Sequence, residues 1–91
     1  MSDTRIAATT AGEAKSNWWQ PASETYIQAT GPDHVTVIVE ARVDATSDAA
    51  EIERASIKRK PILRYAQVPW LRVRFVGNST GAQVTIKSAE Q

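Results

Sequence analysis

The sequence predicts an all-β fold: a small antiparallel β-sandwich of about six strands preceded by an extended N-terminal arm. Three observations predict it. From Glu24 onward apolar and polar residues alternate with a period of two, most clearly from His34 to Val43, where Val35, Val37, Val39, Ala41 and Val43 share one face. Turn-forming residues separate such runs, at Gly31-Pro32-Asp33 and at Gly77-Asn78-Ser79-Thr80-Gly81. The chain has 91 residues, of which 42% are hydrophobic, which suits one domain with a modest core.

Residues 1–22 are rich in Ala, Thr and Ser and show neither a helical stripe nor a strand alternation, so they read as the arm, and residues 23–91 as the sandwich. Trp18-Trp19 stands out within the arm. Two adjacent indoles in a polar context need burial, either at one end of the domain's own core or against a neighbouring subunit.

Thr25 to Thr30 is the first strand of the sandwich. Gly31-Pro32-Asp33 turns it, with Gly tolerating positive φ and Pro fixing its own, into the strand His34 to Val43, so the two are expected to form a hairpin. Thr36, Glu40 and Arg42 make the polar face of that second strand. Ile38 interrupts it, which points to a second contact surface or to coverage by the arm.

Residues 48–56 fit two structures equally. Asp48-Ala49-Ala50-Glu51 has capping-box spacing, and Ile52, Ala55 and Ser56 fall at helical intervals, giving one short helix; the alternative is a strand with Ile52 inward. Lys58-Arg59-Lys60-Pro61 is a basic turn, because Pro lacks the N–H a ladder needs. Ile62 to Ala66 is a short strand. Leu71, Val73 and Phe75 then alternate with Trp70, Arg72 and Arg74, and after the Gly-rich loop Val84 and Ile86 alternate with Gln83, Thr85 and Lys87. A second hairpin follows from this, with Val73 opposite Val84 or Ile86; the first register avoids setting Arg72 opposite Lys87.

Composition narrows the chemistry. The absence of cysteine excludes disulfides, thiol catalysis and cysteine zinc sites, and the single histidine, His34, excludes any two-histidine arrangement. His34 begins a strand beside a turn, where a solvated side chain is the ordinary explanation. Glu51 and Glu53 would share a face of a strand, and Asp44 with Asp48 brackets a polar turn that could weakly hold a cation, but neither spacing matches a recognised calcium loop, so solvated carboxylates are expected. The Gly77 to Gly81 loop joins two strands and lacks the lysine and helix of a phosphate loop. The expectation is a protein that is not an enzyme and takes no cofactor or metal. No apolar run approaches the roughly 20 residues of a membrane span, and the first residues lack the layout of a signal peptide, so no membrane is expected.

The net charge is +1, yet residues 1–53 hold nine acids and three bases, and residues 54–91 hold eight bases and one acid. Either this polarity survives folding and favours oriented contact with a charged partner, or strands from both halves interleave and the charges cancel locally. Arg54, Lys58, Arg59, Lys60, Arg64, Arg72 and Arg74, with Tyr65 and Trp70 interleaved, would suit a small nucleic-acid-binding β-barrel. The near-neutral total and the short row Trp70, Arg72, Arg74 weigh against nucleic acid. Arginines on strand exteriors commonly lay their stems over neighbours and pair with glutamates.

The segment Pro69-Trp70-Leu71-Arg72-Val73-Arg74-Phe75, then Gly77, Asn78 and Gly81, then Gln83-Val84-Thr85-Ile86, resembles the closing strands of small all-β virion proteins of tailed bacteriophages. Val35 to Val43 is similar to their central strand, and the likeness covers roughly residues 24 to 88. The sequence departs from the pattern at Asp44-Ala45-Thr46-Ser47-Asp48, which replaces an Asp-Gly turn, and in the acidic stretch 48–53. The resemblance implies a structural role in the virion, made in the bacterial host cytoplasm and placed on the capsid surface. It implies decoration of the major capsid protein lattice, as a homo-oligomer with a trimer favoured; a tail or head-tail connector component is the alternative within the same family. Trp18, Trp19 and Trp70 are then expected as apolar anchors, and Arg59, Arg72 and Arg74 as partners for carboxylates of another subunit.

Overall fold

The structure, a computed structural model, describes residues 2–91; Met1, at the start of the expected arm, lies outside the described residues. Among the described residues the chain forms eight strands and no helix: β1 (Ser2–Thr9), β2 (Ala14–Lys15), β3 (Thr25–Thr30), β4 (Thr36–Arg42), β5 (Ala50–Ser56), β6 (Ile62–Tyr65), β7 (Trp70–Val76) and β8 (Val84–Glu90). They build two four-stranded antiparallel sheets, ordered β1-β8-β3-β6 and β2-β7-β4-β5. The pairing is nested. First strand pairs with last, second with seventh, third with sixth and fourth with fifth, so the chain runs as one long ribbon folded over onto itself, which is the connectivity of an eight-stranded jelly roll.

Neither expected hairpin forms. β3 and β4 lie in opposite sheets, and so do β7 and β8. Val73 pairs with Val39 of β4, and Ile86 stands between Ile6 and Ala29, so Val73 is opposite neither Val84 nor Ile86 in a ladder. The physical reason is that alternation says which face of a strand is apolar, whereas two apolar faces can be buried side by side or face to face across a sandwich. Here Val37, Val39, Leu71, Val73 and Phe75 of one sheet meet Ile27, Leu63, Val84 and Ile86 of the other in one buried cluster.

The loops are therefore arches between sheets. Gly77 and Gly81 take positive φ, 80° and 70°, as the Gly-rich loop requires. Gly31 does not, and its requirement is space: a Cβ there would lie 3.0 Å from Val84 Cγ2 and 3.2 Å from the Gln83 carbonyl oxygen.

Residues 2–15, expected in an arm, supply one strand to each sheet. β1 forms the edge beside β8, β2 pairs with β7, and Trp19 makes a bridge to Leu71. The register of β1 shifts between Thr4 and Ile6 and again between Ile6 and Thr9, and only Ile6 of the strand is buried, which erases the period of two by which a strand is read.

Residues 50–56 form the strand β5 and not a helix, but Ile52 is not inward. The β4–β5 register steps from Val39 opposite Glu53 to Glu40 opposite Glu51, so Ile52 is the extra residue of a bulge and 42% exposed. Val43, expected on the inner face, follows the last residue of β4 and is 72% exposed.

Interleaving of the halves cancels the charge polarity locally. Arg54, Lys60, Arg64 and Arg72 from the basic half sit within 2.8 to 3.1 Å of Glu51, Glu53, Glu24 and Glu40 from the acidic half.

Candidate functional site

The outer face of the β2-β7-β4-β5 sheet gathers most of the expected contact residues. Register sets its rows: Trp70 stands beside Arg42, Arg72 beside Glu40 and Arg74 beside Ile38, because β7 and β4 pair over seven residues. On the flanks Lys15 of β2 lies beside Arg74, while Glu51 and Arg54 of β5 lie beside Glu40 and Ile38. The bulge at Ile52 is what puts Glu51 and Arg54 on the same face, where Arg54 Nε and Nη2 donate to the two Glu51 carboxylate oxygens at 3.1 and 2.8 Å. That hydrogen bonding holds the Glu51 carboxyl below its ordinary pKa.

At the centre of the face Ile38 is fully buried, although it lies outside the main core cluster. Its place in the sequence points to a second contact surface or to coverage by the arm; in register Ile38 is flanked by Arg54 and Arg74, long side chains whose stems can cover an apolar neighbour. Glu40, 8% exposed, is the charge hub. Its Oε1 accepts from Arg72 Nε at 2.9 Å, with Arg72 Nη2 at 2.8 Å and Arg74 Nε at 3.7 Å.

The two adjacent tryptophans divide. Trp19, which bridges to Leu71, points inward, is 9% exposed and joins the core, with the Arg5 guanidinium 4.0 Å from its ring centre. Trp18 therefore points outward, and the guanidinium carbons of Arg42 and Arg72 lie 4.2 and 4.5 Å from its ring centre. Arg42 is also 5.0 Å from the Trp70 ring. One guanidinium thus lies against two indoles, each within cation–π distance.

Of the expected contact residues, Trp18, Trp70, Arg72 and Arg74 thus share one face, and Trp19 lies beneath it in the core. Arg59 is elsewhere. It is exposed on the turn after β5, its N–H bonded to the Ser56 carbonyl, at the end of the sheet marked by Thr36, Ser56 and Val76, whereas Arg42 and Trp70 mark the other end. Sequence reasoning missed Arg42 and Glu40. Both are visible on the polar face of their strand, but only the β4–β7 register shows that they stand beside Trp70 and Arg72.

The face carries an open depression of about 480 Å³, lined by Glu13, Lys15, Glu40, Arg72 and Arg74 among others. Its lining mixes both signs of charge and includes no histidine. His34 is exposed in the arch after β3, with Nε2 3.4 Å from Ser79 Oγ. Among the described residues no group of three or more His, Cys, Asp or Glu could hold a metal ion. Asp44 Oδ1 accepts hydrogen bonds from the backbone and hydroxyls of Thr46 and Ser47, which close its loop and lower its pKa. No protein-family model, curated protein or solved structure matches this chain.

Proposed function

We propose that the chain is a structural protein of a tailed-bacteriophage virion, acting by surface contact without catalysis, and that it decorates and cements the coat-protein lattice as a trimer. The observation that carries this reading is the outer face of the β2-β7-β4-β5 sheet. It brings Trp18, Trp70, Arg72 and Arg74 from separate parts of the chain into one surface with the aromatic and arginine character of a protein contact. The likeness of residues 69–86 to the closing strands of small virion proteins supports the same reading. Jelly-roll connectivity is shared by viral coat proteins, lectins and cupins, so it is compatible with this role and argues for it only by analogy. The contact surface is this face, because residues 2–15 are already paired within the sheets.

The test is light scattering with mass determination, followed by mixing with assembled phage heads that lack the protein. A trimer that binds heads saturably is expected. Binding to tails or connectors in place of heads would move the protein to the other end of the virion, and a monomer that ignores all of these but binds single-stranded DNA with strong salt dependence would overturn the reading.

A further inference from the structure

We propose that Arg42, whose guanidinium lies against Trp18 and Trp70, is the anchor for a carboxylate on an acidic segment of the partner protein. The arginines around it already have acids: Arg72 and Arg74 share Glu40, and Arg54 takes Glu51. Arg42 has no ion pair or hydrogen bond from its side chain among the described residues, and its Nε is buried without an acceptor. Contact with the two indoles restrains the guanidinium, so a carboxylate that pairs with it loses less side-chain entropy than with a free arginine.

The charge pattern selects the occupant. In the paired strands and the depression, Lys15, Arg42, Arg54, Arg72 and Arg74 stand with Glu13, Glu40 and Glu51, a net positive set that includes one unpaired guanidinium. A nucleic-acid backbone would fit this mosaic poorly, since its closely spaced phosphates would meet Glu40 and Glu51, whereas a protein carboxylate needs only one free fork. The inference rests on the docking role above for the identity of the partner, and its test is independent of phage heads.

The test is an NMR titration of the full chain with a glutamate-rich synthetic peptide, its glutamine counterpart and a thymidine oligonucleotide. Arg42→Gln and Arg42→Lys are compared with Lys87→Gln, an equal charge change on an exposed residue of the other sheet. The glutamate peptide should shift the Arg42 Nε–H and the Trp18 and Trp70 indole N–H signals, and the glutamine peptide should not. Arg42→Gln should weaken binding about tenfold or more, as loss of a charge-assisted hydrogen bond requires, with Lys failing to restore it and Lys87→Gln having little effect. Equal loss in Arg42→Gln and Lys87→Gln, shifts centred elsewhere, or an oligonucleotide that the peptide cannot displace would overturn the proposal. Peptide binding at Arg42 by a protein that ignores heads would overturn the decoration reading alone.

Discussion

Glu40 on β4 and Arg72 on β7 stand opposite one another in the sheet, and one oxygen of Glu40 accepts a hydrogen bond from Arg72 Nε at 2.9 Å, with Nη2 of the same guanidinium 2.8 Å away. Their side chains keep only 11% and 19% of their exposure. Residues 32 apart in sequence thereby join the acidic and basic halves of the chain.

Removing the carboxylate leaves Arg72 and Arg74 without their acid in a half-buried setting. Glu40→Gln should lower unfolding stability by about 2 kcal/mol, in the range of hydrogen bonds to charged groups. Glu40→Leu combined with Arg72→Met should recover most of that loss, because an apolar pair carries no desolvation penalty. Urea unfolding of the three proteins measures both effects.

Trp18 and Trp19 should separate cleanly in thermal melts. Trp19→Ala opens a cavity in the core and should cost about 3 to 5 kcal/mol. Trp18→Ala loses its stacking with Arg42 and Arg72, about 1 kcal/mol, and should weaken partner contact far more than stability. Equal destabilisation by the two would mean that Trp18 is a core residue.

Gly31→Ala should destabilise by about 1 to 2 kcal/mol, through overpacking and not through backbone strain. The added methyl meets the fully buried Val84 side chain and the Gln83 carbonyl oxygen, and the latter is backbone. Gly31→Ala combined with Val84→Ala should therefore lose less than the sum of the two single changes.

Stability should fall at both ends of the pH scale. Tyr65 donates to Glu53 at 3.3 Å, and burial, then the adjacent carboxylate, push its pKa well above the usual tyrosine value. The folded chain holds that proton more tightly than the unfolded chain does, so the contribution is complete below about pH 10 and is lost as pH climbs beyond it. At the acid end, hydrogen bonds from Arg64, Arg54 and Ser47 lower the pKa of Glu24, Glu51 and Asp44. Those contributions are present above roughly pH 4 and disappear as pH falls through the lower folded-state values. Tyr65→Phe should flatten the alkaline limb of a urea-midpoint profile and leave the acid limb in place.

Much of the candidate face is legible strand by strand. Trp70, Arg72 and Arg74 alternate with Leu71, Val73 and Phe75, and Thr36, Glu40 and Arg42 with their valines, so the outward residues of β7 and β4 follow from alternation alone. Their adjacency does not. Arg59 looks equivalent to Arg72 in a basic run, yet the turn after β5 carries it to the far end of the sheet. Glu51 and Arg54 share a face only because a bulge at Ile52 adds a residue, and no alternation announces a bulge.

By itself, then, the sequence determined the all-β class and most of the inward residues of β4, β7 and β8, because a period of two is a property of each strand alone. Tertiary structure decided which strands are neighbours: the two arches in place of hairpins, the places of β1 and β2 in the sheets, and the meeting of Arg42 with Trp18 and Trp70. Local pattern fixes a strand's apolar face, while its partner is chosen by the burial of all the other faces at once.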